Sequence, residues 1–196
     1  MNQTQEIFGE PAESTRKKVR PYMVEWVQDF IKNSPFLVMA SSNALGYSDA
    51  SPRGGKPGFV KVIDEKHLVI PDISGNKLFQ SHENIETNPY IGLIFFIPGI
   101  DRTARVNGKV KILREGDSEF DKLALEVKNK KLLQALMLEV VESYGHCTRA
   151  LGFAKLWDTS VIMENQGNPL ISKVGSCYRK LSGGIKKLRL TSLLLR

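Results

Sequence analysis

Between Phe36 and Leu113 the chain passes through five short apolar segments that are separated by turn residues. The segments are 36–40, 58–63, 67–71, 90–97 and 104–113. Short apolar runs bounded by polar residues, glycine or proline predict β-strands, and the second and third runs predict a hairpin. Many short strands flanked by a few helices are typical of a small β-barrel. We therefore expect a mainly β fold with flanking helices.

The flanking helices are predicted from three- and four-residue apolar spacing. Such a stripe precedes Asn33-Ser34-Pro35, where the first helix ends, and Pro21 marks its start. A second stripe, over 117–144, comprises Leu132, Leu133, Leu136, Met137 and Val140. A short helix is expected over 76–84, and a last strand over 155–163. Gly108 inside the fifth apolar segment predicts a bulge or a close approach of the backbone.

The positive charge of this chain is confined to its C-terminal end. The net charge is +7, yet residues 1–172 hold 21 basic residues and all 21 acidic residues. The excess therefore lies in 173–196, which we predict to be a basic tail, packed on the protein or lying on an anionic membrane surface. Nucleic-acid binding by the folded domain is not expected, since it needs clustered positive charge.

Other sequence features exclude several classes of protein. The longest apolar run, 90–100, contains a proline and is too short to span a bilayer. The N-terminal residues show no secretion signal, so we expect a cytoplasmic protein. Cys147 and Cys177 have no metal-ligand spacing, and neither a disulfide nor a metal is expected. We predict an N-terminal helical segment at 1–34, a barrel domain at 35–172 and the tail at 173–196.

The stretch Asp49-Ala50-Ser51-Pro52-Arg53-Gly54-Gly55 carries the first candidate binding residues. Arg53 offers a planar fork of donors suited to phosphate, and Ser51 adds a hydroxyl. Gly54 and Gly55 permit backbone conformations that turn successive N–H groups toward an anion. The alternative is a glycine turn beside a solvated arginine.

A second stretch, Pro71-Asp72-Ile73-Ser74-Gly75-Asn76-Lys77, follows on what we expect to be a neighbouring strand. Asp72 is a candidate acceptor for a ring N–H or a ribityl hydroxyl, and Lys77 is a second cation. Gly75 lets the backbone approach a ligand, while Asn76 and Ser81 would lie on the following helix, whose N-terminus favours an anion. Together the two stretches predict a site for a phosphorylated cofactor.

Arg105 interrupts the apolar pattern of the fifth segment. A charge placed there is costly unless it is paired or contacts a ligand. The alternative is an outward-facing residue on the polar side of an alternating strand.

The order of these motifs resembles the pyridoxamine 5′-phosphate oxidase-like family, and more narrowly a bacterial branch of it. The resemblance covers roughly 7–158 and depends on PFLVMAS, SPRGG, the D-x-x-GN motif at 72–76, and TARVNGKVKIL. It implies a split β-barrel homodimer with FMN bound at the subunit interface. By this resemblance the cofactor-binding residues are Ser51, Arg53, Gly54, Gly55, Asp72, Gly75, Asn76, Lys77, Ser81 and Arg105.

The resemblance implies an oxidoreductase in which the flavin transfers a hydride or electrons to a small-molecule substrate. Neither the substrate nor a catalytic side chain is assigned by the sequence. Two alternatives stay open: the same barrel with deazaflavin or haem as its ligand, or a flavin-binding sensor module without enzymatic activity.

Overall fold

The computed structural model describes residues 3–73, 78–122, 132–146, 148–170 and 173–174. The chain divides into two units, residues 1–148 and 149–196. The predicted basic tail therefore lies outside the described residues except for Lys173 and Val174.

The first unit contains most of the regular structure. Its helices are α1 (Gln3–Phe8), α2 (Glu13–Arg16), α3 (Glu25–Asn33), α4 (Gln80–Thr87) and α5 (Ser118–Lys122). Its strands are β1 (Phe36–Ser42), β2 (Ser48–Gly54), β3 (Lys61–Val62), β4 (His67–Asp72), β5 (Tyr90–Phe96), β6 (Thr103–Arg114) and β7 (Gln134–His146).

These seven strands of the described chain form one antiparallel sheet in the order β2-β1-β5-β6-β7-β4-β3. The inner face of the sheet is apolar. Leu37, Phe95 and Leu68, from β1, β5 and β4, are fully buried in one cluster, which also contains Val27 and Ile31 of α3. A single core shared by strands from both halves of the sheet requires the sheet to curl, as in a barrel.

Several strand predictions are confirmed. The segments at 36–40, 67–71, 90–97 and 104–113 correspond to β1, β4, β5 and β6, and β3 and β4 pair as the predicted hairpin. The β6–β7 register shifts between Asn107 and Gly108, which is the predicted bulge. Only glycine fits there, because a Cβ at position 108 would collide with the Glu139 carbonyl oxygen.

The helical prediction over 117–144 is confirmed at α5 (Ser118–Lys122), but the apolar stripe that follows is not helical over 134–146. Residues 134–146 form β7, a 13-residue strand. Leu136, Leu138 and Val140 are buried, whereas Glu139 is exposed, so the period that governs this segment is two. The spacing of Leu132, Leu133, Leu136, Met137 and Val140 fits a helix equally well, and pairing with β4 and β6 decides in favour of the strand.

Other predicted boundaries are also corrected. The strand expected over 58–63 is reduced to β3, the main N-terminal helix begins at Glu25 instead of Pro21, and α4 begins at Gln80 instead of Asn76. The strand expected over 155–163 does not form. These residues hold a turn and the start of α7 (Thr159–Gln166), which follows α6 (Arg149–Phe153). Asp158 caps α7 by accepting a hydrogen bond from the Ser160 N–H at 2.9 Å.

Among the helices that the structure describes, none has the length and hydrophobicity needed to cross a membrane.

Candidate functional site

A cavity of about 250 Å³ lies where β2, β4 and the start of α4 meet. We call it the Arg53 cavity. Its lining residues are Asp49, Ala50, Ser51, Pro52, Arg53, Asp72, Leu78, Phe79, Gln80, Ser81 and His82.

Successive side chains of a β-strand point to opposite faces, so alternate residues of β2 face this cavity. Asp49, Ser51 and Arg53 are half-buried, whereas the residues between them are exposed. Arg53 pairs with Leu37 in the sheet register, so its side chain lies on the same face as the apolar core. An arginine at this position must find polar partners at the end of the barrel.

Asp72 is the main partner of Arg53. Its Oδ1 lies 3.8 Å from Arg53 Nη1, and its Oδ2 lies 3.2 Å from His82 Nε2. The Gln134 side-chain amide donates a further hydrogen bond to Oδ2 at 3.2 Å. The carboxylate therefore joins β2, β4, β7 and α4 at one point.

These neighbours favour the ionised carboxylate. The pKa of Asp72 lies below its usual range. The hydrogen bond from the His82 imidazole is the largest cause, followed by the Gln134 amide and the Arg53 guanidinium. They outweigh burial, which acts in the opposite direction. Asp72 is thus maintained as an anion that holds Arg53 and His82 in place.

The start of α4 forms the other wall of the cavity. Ser81 is buried and donates a hydrogen bond from its hydroxyl to Asp49 Oδ2 at 2.7 Å. Phe79, the residue before the helix, has φ 52° and ψ 18°, in the left-handed region that bulky side chains rarely adopt. Its ring meets the edge of the His82 ring, with centroids 5.5 Å apart. Backbone strain of this kind is concentrated at functional sites.

Some buried nitrogens in the cavity have no hydrogen-bond partner within the described residues. They are Arg53 Nε and His82 Nδ1. His82 is only 6% exposed, so water does not readily satisfy its ring. Arg53 Nε is an obligate donor, and a buried donor without a partner is costly, so a ligand with an acceptor oxygen would remove that cost.

The two glycines after Arg53 act differently from the prediction. Gly54 belongs to strand β2, and the Gly55 N–H donates to the Pro35 carbonyl at 3.0 Å, so it is not available to an anion. A Cβ on Gly55 would lie 2.7 Å from Cβ of Phe59. Gly55 is therefore required for packing.

Arg105 lies outside the Arg53 cavity. Ala104 and Val106 are in the core, so Arg105 faces the opposite side of β6. Its guanidinium carbon lies 5.4 Å from the centre of the Tyr144 ring, within cation–π range. Its Nε is buried and has no hydrogen-bond partner in the part of the chain that the structure describes.

Four predicted site residues thus meet in one cavity: Ser51, Arg53, Asp72 and Ser81. Gly75, Asn76 and Lys77 lie outside the described residues. The expectation that the two stretches occupy neighbouring strands is wrong, because β2 is at one edge of the sheet and β4 is next to the other. They meet because the sheet curls.

The sequence analysis missed Asp49, His82 and Gln134. Asp49 alternates with Ser51 and Arg53, and this period of two was a usable signal. His82 follows Ser81 directly, but nothing in the local pattern distinguishes it from a surface histidine. Gln134 reaches Asp72 only through β4–β7 pairing, which depends on the whole fold.

Replacing Asp72 by asparagine should reduce stability in a pH-dependent way. The native pKa of Asp72 is lowered, so its contribution is present above the unfolded pKa of about 4 and is lost as pH falls through the native value. We expect Asp72→Asn to lower the free energy of unfolding by about 1–3 kcal/mol at neutral pH. The difference from the parent protein should shrink below about pH 4.

Urea unfolding at a series of pH values measures this difference. Asp101→Asn, which removes an exposed carboxylate at a turn, is the matched control and should have little effect at any pH. A destabilisation by Asp72→Asn that stays constant down to about pH 2.5 would contradict the electrostatic role of Asp72.

Comparison with known proteins identifies the family of this chain. The family model described as pyridoxamine 5′-phosphate oxidase matches residues 23–147, more than half of the chain. A search of curated proteins finds no match.

Solved structures show a similar arrangement at low sequence identity. HupZ of Group A Streptococcus is 18% identical, with a TM-score of 0.44, over 60% of this chain and 89% of that one. An FMN-binding protein from Syntrophomonas wolfei is 15% identical, with a TM-score of 0.46, over 69% and 96% of the two chains. The family assignment depends on the match over residues 23–147 and on the curled antiparallel sheet described above. The chain has the predicted split β-barrel and belongs to the pyridoxamine 5′-phosphate oxidase family.

Proposed function

We propose that this protein binds FMN and acts as an oxidoreductase on a small-molecule substrate. The observation that carries the proposal is Arg53, a half-buried arginine whose Nε lacks a described partner, facing a cavity in a chain of this family. A guanidinium with free donors is suited to a phosphate group.

The chemistry of the cavity fits one end of FMN. Arg53 supplies a cation for a phosphate, and Ser51 and Gln80 are further polar residues of the lining. The volume of about 250 Å³ is below the roughly 300–1,000 Å³ typical of ligand pockets. A phosphate and its ester linkage are small enough to enter this space.

The two carboxylates of the cavity need an explanation, since they would repel a phosphate. Asp49 accepts the Ser81 hydroxyl, and Asp72 is in contact with Arg53, His82 and Gln134. Both are therefore engaged by donors of the protein. In the proposed complex Asp72 fixes the position of Arg53 while Nε and the remaining edge of the guanidinium bind the phosphate, and Lys77 adds the second cation.

Bound FMN would supply hydride or electron transfer. The chain's own contribution is to hold the phosphate through Arg53, to orient that arginine through Asp72, and to support the anion with the half-buried hydroxyl of Ser51. We assign no proton donor, and the identity of the substrate stays open. The family implies that the flavin is shared between two subunits, so we propose a homodimer.

The outer face of the sheet supports the dimer proposal. Phe36, Val38, Ile94 and Phe96 lie on that face in neighbouring registers of β1 and β5, and all are half-buried or exposed. The Phe36 and Phe96 rings are 5.9 Å apart. An apolar face of this kind, next to the stacked Arg105 and Tyr144, matches the aromatic and arginine-rich character of protein interfaces.

The purified protein should be yellow and should release FMN on denaturation. The reason is that the sequence has two stretches suited to phosphate and no glycine-rich dinucleotide motif. Absorption spectroscopy distinguishes flavin from haem or deazaflavin, and chromatography of the released cofactor distinguishes FMN from FAD. Release of another cofactor, or no binding after incubation with excess FMN, would contradict the proposal.

Arg53→Ala should weaken FMN binding by about 2–4 kcal/mol, because an ionised phosphate loses a charged hydrogen-bond partner. Arg53→Lys should restore only part of this, since an ammonium lacks the planar fork. Arg114→Ala, at an exposed arginine outside the cavity, is the control. Fluorescence titration of the apoprotein measures the affinity, and equal affinity in Arg53→Ala and the parent protein would exclude this role.

Val38→Glu should convert the dimer to a monomer that remains folded, because a charge would be buried at the interface. Leu45→Glu, in the exposed turn between β1 and β2, introduces the same charge outside the strand face and should leave the dimer intact. Light scattering gives the molar mass, and circular dichroism checks folding. A folded Val38→Glu dimer would show that the subunits do not meet there.

A further inference from the structure

A second and larger cavity lies on the first unit, between the N-terminal segment and the ends of β6 and β7. Its volume is about 1040 Å³. We call it the Trp26 groove. Its lining residues are Thr15, Lys17, Lys18, Val19, Arg20, Val24, Trp26, Val27, Arg102, Thr103, Ser143, Tyr144, Gly145 and Thr148. It shares no residue with the Arg53 cavity.

The lining of the Trp26 groove is cationic. Lys17, Lys18, Arg20 and Arg102 line it, and no carboxylate does. Lys17 is paired with Glu13 at 2.6 Å, but the other three have no ion-pair partner within the described residues. Because residues 1–172 are formally neutral, this concentration of like charge is local and is not a consequence of the overall composition. Closely spaced cations without partners repel each other, and an anion would relieve that repulsion.

An exposed tryptophan lies beside these cations. Trp26 is 46% exposed, and the end of its ring packs on Gly145, where a Cβ would lie 2.7 Å from Trp26 Cη2. The absence of a side chain at position 145 therefore lets the indole approach β7 closely. Tyr144 is a second aromatic residue of the lining. Exposed aromatic rings beside cations offer stacking together with charge.

Two hydroxyls under this groove have no hydrogen-bond partner within the described residues. Thr103 is 3% exposed and Ser143 is 2% exposed, and the side-chain oxygen of each is unpaired. Ser143 is held in place by backbone hydrogen bonds to Arg20 in both directions, at 3.0 Å and 2.7 Å. Buried hydroxyls without partners are uncommon in proteins, and they provide polar groups for a ligand that settles into the floor.

We propose that the Trp26 groove is a second binding site, for a small phosphorylated ligand with an aromatic ring, such as a nucleoside monophosphate. The ring would stack on Trp26, and the phosphate would lie among Lys18, Arg20 and Arg102. The volume lies at the upper end of the roughly 300–1,000 Å³ of small-molecule pockets. The lining of this groove has no residue in common with the Arg53 cavity, so variants of the two cavities can be compared separately.

Calorimetric titration of the full-length protein, with its cofactor bound as purified, tests this proposal. The probes are AMP, adenosine and inorganic phosphate. AMP should bind at least about ten-fold more tightly than either part alone, and added salt should weaken it, because both the ring and the charge contribute. Phosphate binding as tightly as AMP, or an oligonucleotide binding far more tightly than AMP, would overturn the proposed ligand class.

Variants locate the site. Lys18→Ala and Arg102→Ala should each weaken AMP binding about three- to five-fold. Lys66→Ala, which removes an equal charge from an exposed turn outside the groove, should have no effect. Trp26→Leu should weaken AMP but leave phosphate binding unchanged. Equal AMP affinity in all of these variants would overturn the proposal.

Two further variants separate this site from structural effects and from the FMN site. Ser143→Ala should weaken AMP binding about three-fold without lowering the melting temperature, because its hydroxyl has no described partner to lose. Arg53→Ala should leave AMP binding unchanged even if FMN is lost. Loss of AMP binding in Arg53→Ala would show that AMP enters the Arg53 cavity and would overturn the second site.

Discussion

The burial of one apolar face by a single curled sheet is the constraint on which the other features depend. Leu37 on β1 and Leu68 on β4 are fully buried in the same cluster, although β5, β6 and β7 lie between β1 and β4 in the sheet order. Burying this face stabilises the fold by removing apolar surface from water. The same curvature places Arg53 within 3.8 Å of Asp72. The polar cavity is therefore a consequence of how the apolar core closes.

Local sequence patterns were sufficient to predict an element when its apolar residues fit the periodicity of either a strand or a helix, but not both. β1, β5, β6 and the bulge at Gly108 were all predictable because apolar runs and a glycine have clear local meaning. β7 was not, since its leucines fit both periods and the choice depends on β4 and β6, which are distant in sequence. The short helix α4 was predicted, but its start was not, because Phe79 adopts a backbone conformation that no propensity anticipates.

The residues of the candidate site likewise fall into those that local sequence predicted and those that only the fold reveals. Ser51, Arg53, Asp72 and Ser81 were identified from residue type and local spacing, and the structure brings them together. His82 and Gln134 were not identified, because their importance comes from contact with Asp72 across different elements. Arg105 was identified as unusual, and it is, but it lies on the other face of the sheet, where it stacks on Tyr144. FMN as the cofactor, the dimer and the cytoplasmic location remain predictions.

The position of Arg53 on β2 would also affect the release of the proposed ligand. Within the described sheet β2 is an edge strand, paired with β1 alone, whereas β6 is paired on both sides. Edge strands open locally at a lower free energy than central ones. An anion held by Arg53 would link this edge to α4 and to β4, and would thereby suppress the opening. Dissociation of the ligand and local opening of the edge strand β2 would then be coupled, because each would remove a contact that holds the other in place.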